Sequence, residues 1–135
     1  MNPNINVRVY GICIQNQRIL VLDEMYAGER LIKLPGGGLE FGEGLIDCLH
    51  REFEEELNLK IDNIQHFYTQ EDFVASRFRE NEQLLTIYYQ VNIVNLQQLN
   101  ITDPSISQIK WISIQDENPF TLPIDKIVFE KLKNL

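Results

Sequence analysis

Residues 34 to 59 read LPGGGLEFGEGLIDCLHREFEEELNL, a glycine turn running into a helix-forming stretch that crowds Glu52, Glu54, Glu55 and Glu56 into five positions. At about 100° per residue, Glu52, Glu55 and Glu56 share one helical arc, while Ile46, Leu49, Phe53 and Leu57 form an apolar stripe beside it. The helix is predicted to begin near Gly44 or Leu45 and to stop at Asn58, a residue that tolerates the left-handed conformation ending many helices. Like charges at these spacings oppose each other by roughly 0.2 to 0.5 kcal/mol per pair. Arg51 is the only cation within the cluster, so a divalent cation is the simplest further counter-charge. Glu54 lies off the arc and reads as a solvated surface charge.

Outward from this stretch, Ile5 to Ile14 and Arg18 to Asp23 are strand-like, with Gln15-Asn16-Gln17 as a hairpin turn between them. Glu24 to Lys33 contains MYAGER, read as a loop. Beyond the helix, Ile61 to Thr69 and Leu84 to Val94 are strand-like, and the polar Ser76 to Gln83 between them reads as a loop or turn. Ile109 to Ile114, with the single tryptophan Trp111, is a last short strand. Pro119 to Pro123 precede a terminal helix whose stripe is Ile124, Ile127, Val128, Lys131 and Leu132. The expected fold class is α/β, a mixed sheet packed against the glutamate helix and the terminal helix, as a single domain over residues 1–135.

With 44% hydrophobic residues, the chain can build one core without disulfides or a structural metal. A net charge of -8 argues against nucleic acid or an anionic membrane as partner, since either would reward a basic face. Cys13 and Cys48 have neither disulfide nor zinc spacing and read as buried reduced thiols. No basic start followed by an apolar run and no long apolar segment is present in the sequence, which places the protein in the cytoplasm.

Gly37 to Leu59 resembles the Nudix box, in which glycine, five residues, glutamate, seven residues, Arg-Glu-apolar, one residue, Glu-Glu, one residue and Gly-apolar follow in order. Gly37, Glu43, Arg51, Glu52, Phe53, Glu55, Glu56 and Leu59 fall on that pattern, and the preceding LPGG is usual in the family. Asn58 stands where the family has glycine, a change with little expected consequence because both tolerate the left-handed conformation.

The resemblance implies a Nudix-like α/β/α sandwich with a mixed β-sheet, a Nudix loop-helix and a C-terminal helix. It implies metal-dependent hydrolysis of a nucleoside diphosphate linked to another moiety, by attack of water on phosphorus, with Mg²⁺ or Mn²⁺ as cofactor. Carried over position by position, Glu52, Glu55 and Glu56 would be metal ligands, with the Gly37 carbonyl and Glu43 as further contributors. Arg51 would hold a glutamate in place. Glu52 is the expected general base, and Glu82 is the leading candidate beyond the box, ahead of Glu71 and Glu80.

Arg8, Lys33, Arg77 and Arg79 are the cations available to phosphate or to a second substrate group. Tyr88, Tyr89 and Phe73 read as packing residues, and His50 and His66 have no partner spacing. A proline shortly after the box, common in ADP-ribose hydrolases, is missing, as are coenzyme A and NADH signatures. A nucleotide-sugar-like diphosphate is therefore preferred. Hydrolysis of modified nucleoside triphosphates to monophosphate and pyrophosphate stands as an alternative. So do a non-catalytic nucleotide-binding Nudix module and an acidic helix that docks a basic partner. The resemblance also allows a homodimer.

Overall fold

The computed structural model describes residues 2–135. Strand β1 (Asn4–Ile12) is central to one sheet, pairing antiparallel with β5 (Gly36–Gly38) and parallel with β8 (Glu82–Ile93). Strands β6 (Ile61–Thr69) and β7 (Val74–Ala75) pair antiparallel with β8. A second sheet is built on β3 (Arg18–Tyr26), which pairs with β2 (Ile14–Gln15), β4 (Glu29–Lys33) and β9 (Ile106–Ser113). The sequence suggests one mixed sheet; two form, because β1 and β3 each have their ladder partners on other strands.

Alternation along β1 and β3 explains the layering. Val9, Leu20 and Leu22 face one core with Leu49, Phe53 and Leu57 of helix α1 (Leu45–Leu57). Tyr10, Ile12, Ile19 and Val21 face a second core with Ile124, Val128, Phe129 and Leu132 of helix α2 (Pro123–Lys133). The period of two in a strand thus feeds a helix on either side. Both stripes differ slightly from expectation: Ile46 is 40% exposed and Ile127 41%, while Cys48 and Phe129 are buried in their place.

Two loops are shorter than the sequence suggests. Asn16 and Gln17 adopt φ of 52° and 63°, a tight hairpin turn as expected. The stretch read as a loop in MYAGER is a second such hairpin, with Ala27 at 49° and Gly28 at 81°, so β3 and β4 run almost to the turn. Its strand ends carry exposed Met25 and Tyr26, which hides the alternation. Glu82, read as a loop residue, is the first residue of β8. No helix among the described residues is long and apolar enough to cross a membrane.

Helix α1 ends as expected, with Asn58 at φ 57°, its N–H donating to the Glu54 carbonyl and the Leu59 N–H to the Phe53 carbonyl. It is seated by Phe53, whose ring lies where Gly11 of β1 has no side chain. A Cβ there would fall 2.4 Å from a Phe53 ring carbon. Gly11→Ala is expected to destabilise the protein by about 1 to 3 kcal/mol, the usual cost of forcing extra volume into a packed core. A lowered urea midpoint with an unchanged slope checks this.

Candidate active site

The glycine turn is shaped by what must pass close to it. Gly36 has φ +144°, and a Cβ on it would lie 2.1 Å from the Val9 carbonyl oxygen. A Cβ on Gly37 would lie 2.6 Å from the Glu52 carboxyl carbon. Backbone and carboxylate therefore meet only because residue 37 is glycine. The Gly36 N–H donates to Glu56 Oε1 at 3.0 Å, so a second box glutamate is fixed to the same turn.

Arg51 binds the other acids. Its Nε and Nη2 donate to the two Glu43 oxygens at 2.6 and 2.9 Å, a bidentate fork. Nη1 donates to Glu52 at 2.9 Å and to Glu55 at 3.2 Å, and Nη2 also reaches the Gly38 carbonyl at 2.9 Å. The Arg51 hydrogen bonds hold Glu43 down at about 2. Glu52 moves the other way, raised by burial against the pull of Arg51. Glu54 is exposed, as expected. The buried Cys48 thiol, pushed up to about 12 by burial and by Glu43, lies 3.5 Å from the Gly38 carbonyl oxygen. It is a packing thiol, and Cys13 is likewise free and buried.

Glu56 is the box glutamate turned away from Arg51. One carboxylate oxygen each from Glu24, Glu56 and Asp103 lies within 4.8 Å of the others. Burial pushes Glu56 up to about 8, against the pull of Lys33 and the Gly36 amide. Lys33, a buried cation, stands 3.4 Å from Glu24. Burial alone would depress its ammonium, yet Tyr10, Glu56 and Glu24 hold it above its ordinary value. Three hard oxygen donors with little competing nitrogen suit Mg²⁺ or Mn²⁺, ions that keep waters and share substrate phosphates. The expected ligand set of Gly37, Glu43, Glu52, Glu55 and Glu56 is thus divided: Glu56 joins this cluster, whereas Glu43, Glu52 and Glu55 sit on Arg51.

Glu24 and Asp103 escape a reading of the sequence. Asp103 is delivered by the segment that closes α1: the Thr102 N–H donates to the Glu56 carbonyl at 3.0 Å and the Thr102 hydroxyl to the Glu55 carbonyl. Glu24 sits at a register shift between β3 and β9 that lets Asp23 and Glu24 both be buried. The one signal was an acidic pair ending the apolar run Ile19 to Leu22. Asp23 itself is spent on Arg30, whose Nε donates to it at 2.8 Å.

Beside the cluster lies a cavity of about 310 Å³, bordered by Arg8, Tyr10, Lys33, Phe78, Tyr88 and Asp125 among others. That volume is near the lower end of the roughly 300 to 1,000 Å³ of small-molecule sites. Glu82 lines it, but its carboxylate accepts from Asn4 Nδ2 at 2.9 Å and Asn6 Nδ2 at 3.3 Å. Despite burial, those amides hold it below the usual carboxylate range, a poor setting for a base. Among the residues lining the cavity, Arg77 pairs with Glu29 at 2.6 Å and Phe78 packs edge-on against Tyr26 at 4.7 Å. At the inner wall the Tyr88 hydroxyl donates to Asp125 at 2.6 Å. Tyr88 is therefore core as expected; Phe73, Glu71, Glu80, His50 and His66 are exposed.

The sequence model of the NUDIX domain matches residues 3–132. Among solved structures, the MutT NUDIX hydrolase of Burkholderia pseudomallei is 18% identical with a TM-score of 0.81, the match covering 95% of this chain and 98% of that one. The NUDIX hydrolase of Nitrosomonas europaea is 20% identical with a TM-score of 0.80, covering 98% and 90%. The MutT protein of Methanosarcina mazei is 17% identical with a TM-score of 0.73, covering 99% and 96%. At these identities the likeness is one of fold.

Asp125 gives a pH prediction. Burial pushes its carboxyl from 3.8 up to about 6, against the Tyr88 hydrogen bond and the positive Lys33 and Arg8. The folded state then holds the proton more tightly than the unfolded one. Its stabilising contribution is complete below about pH 4 and is lost as pH rises through about 6. Relative to Asp125→Asn, the wild type is expected to lose up to roughly 3 kcal/mol across that window, read from urea midpoints at successive pH values.

Proposed function

Because the chain belongs to the Nudix family, whose fold implies hydrolysis of nucleoside diphosphates linked to other moieties, we propose that it hydrolyses the diphosphate bond of a nucleotide-sugar-like substrate with Mg²⁺ or Mn²⁺. The observation that carries this reading is the oxygen cluster of Glu24, Glu56 and Asp103, set against the glycine turn and the cavity. When bound there, a divalent ion would neutralise the diphosphate and lower the pKa of an attacking water. Glu56, Glu24 and Asp103 would hold it, with the Gly37 carbonyl and the Glu52 and Glu55 carboxylates as further proposed ligands.

The chain's own groups supply the rest. Glu52, kept half-buried against Gly37 and raised by burial, is the favoured acceptor for the proton of the water. Arg51 fixes the direction of that carboxylate while Glu43 fixes Arg51. The aromatic walls from Tyr10, Tyr26 and Phe78 offer packing surface to a nucleoside. The net charge of -8 leaves the small molecule as the proposed partner, without nucleic acid or an anionic membrane surface, and the proposed setting is the cytoplasm.

A hydrolysis screen over nucleotide sugars, ADP-ribose, nucleoside triphosphates and dinucleoside polyphosphates, with Mg²⁺ or Mn²⁺, tests the reading. Release of a mononucleotide from a nucleotide sugar is expected, and it should vanish in Glu55→Gln and Glu56→Gln. Tight nucleotide binding without turnover of any member of the panel would sink the enzymatic reading. Arg51→Lys keeps one charge but loses the fork, and activity is expected to fall roughly 10- to 100-fold, the usual cost of losing a group that orients metal ligands. The comparison of kcat/KM between the two proteins measures it.

A further inference from the structure

We infer that Arg8 is a substrate-binding residue, receiving an anionic oxygen of the diphosphate derivative, with Tyr10 as its positioning residue; this rests on the hydrolase reading above. Four cations were available on sequence. Lys33 is occupied by Glu24, Arg77 by Glu29, and Arg79 stands on an exposed loop. Arg8 alone is half-buried at the cavity without a carboxylate pairing with it among the described residues.

Its placement is fixed from two sides. Register pairs Arg8 with Gly38 of the glycine turn, and a Cβ on Gly38 would lie 3.5 Å from Arg8 Nη1. Nε donates to the Tyr10 hydroxyl at 2.6 Å, with the guanidinium carbon 5.7 Å from the centre of the Tyr10 ring. That one bond uses the inner edge of the fork and leaves the Nη donors for a ligand. Arg8 also borders a second, shallower groove that runs past Leu39, Glu40 and Phe41. It thus stands where the deep cavity meets the glycine loop.

The carboxylates nearby are already taken: Glu52 by Arg51, Glu24 by Lys33, and Glu82 by Asn4 and Asn6. Among the described residues, the side-chain hydrogen-bond partner of the Arg8 guanidinium is the Tyr10 hydroxyl, a neutral acceptor that leaves the charge free to meet an anion. A planar guanidinium with its outer donors open matches two oxygens of a phosphate group. In an acidic chain it is the cation that can attract a substrate bearing several negative charges.

The test uses full-length Arg8→Gln and Arg8→Lys. On the best substrate of the screen, Arg8→Gln is expected to raise KM about tenfold or more, as befits a lost charge-assisted hydrogen bond, with kcat little changed. Arg8→Lys should recover part of the loss. Thermal protection by α,β-methylene-ADP should shrink in Arg8→Gln, while the melting temperature of the free protein stays level or rises. Wild-type KM and protection in Arg8→Gln would overturn the assignment. So would a lowered free-protein melting temperature that accounts for the whole loss, the mark of a structural brace on Tyr10. A wild type that neither turns over the panel nor is protected would bring down the hydrolase reading itself, and this one with it.

Discussion

The guanidinium of Arg51 ties together pieces of chain that would otherwise repel or drift apart. Its fork on Glu43, its bonds to Glu52 and Glu55 and its reach to the Gly38 carbonyl join the glycine turn, the loop before α1 and the helix face. Each bond is charge-assisted, and they act on groups shielded to different degrees: the Glu52 side chain is 14% exposed and that of Glu55 59%. The inner bonds therefore hold position more firmly than the outer one, which solvent screens. The charge excess of the glutamate arc is met in large part by Arg51 inside the protein.

Other acids lie deeper. Glu56 hangs from the Gly36 amide, and Glu24 and Asp103 arrive from β3 and from the segment that closes α1. Lys33 pairs with Glu24, and burial raises the Glu56 carboxyl against the pull of Lys33 and the Gly36 amide. Arg51 and this deep cluster are thus separate: the first sets direction for Glu52 and Glu55, and the second brings three carboxylates from distant parts of the chain together. The glycines make the division possible, because residue 37 must admit the Glu52 carboxylate and residue 36 must pass beneath Val9.

What could be read from the chain followed from local rules. The limits of α1, its left-handed close at Asn58, the hairpin at Asn16-Gln17 and the apolar faces of both helices depend on neighbours a few residues apart. That Arg51 would hold a glutamate came from the resemblance to the Nudix box, whereas its pairing with Glu43, Glu52 and Glu55 together needed the folded turn and helix. Asp103 and Glu24 were not legible, since their meeting with Glu56 needs the Thr102 hydrogen bonds and a register shift opposite β9. The hairpin at Ala27-Gly28 was missed because its strand tips face solvent and lack alternation. Glu82 was visible as a residue but not as a strand end held by two asparagine amides from β1.

The same parallel pairing that brings Asn4 and Asn6 to Glu82 also sets Arg8 beside Thr86 and Tyr10 beside Tyr88. Along β1, Asn6, Arg8 and Tyr10 line the cavity and Asn4 the adjoining shallower groove, while Val9 anchors the strand under α1. A one-residue slip of β1 against β8 would exchange these rows, sending Arg8 into the apolar core and Val9 to the cavity. Phe53 resting on Gly11 opposes that slip, because only a residue without a side chain fits beneath its ring. The helix that carries the glutamates thus also helps, beside the β1 ladders to β5 and β8, to fix the register of the strand that lines the cavity.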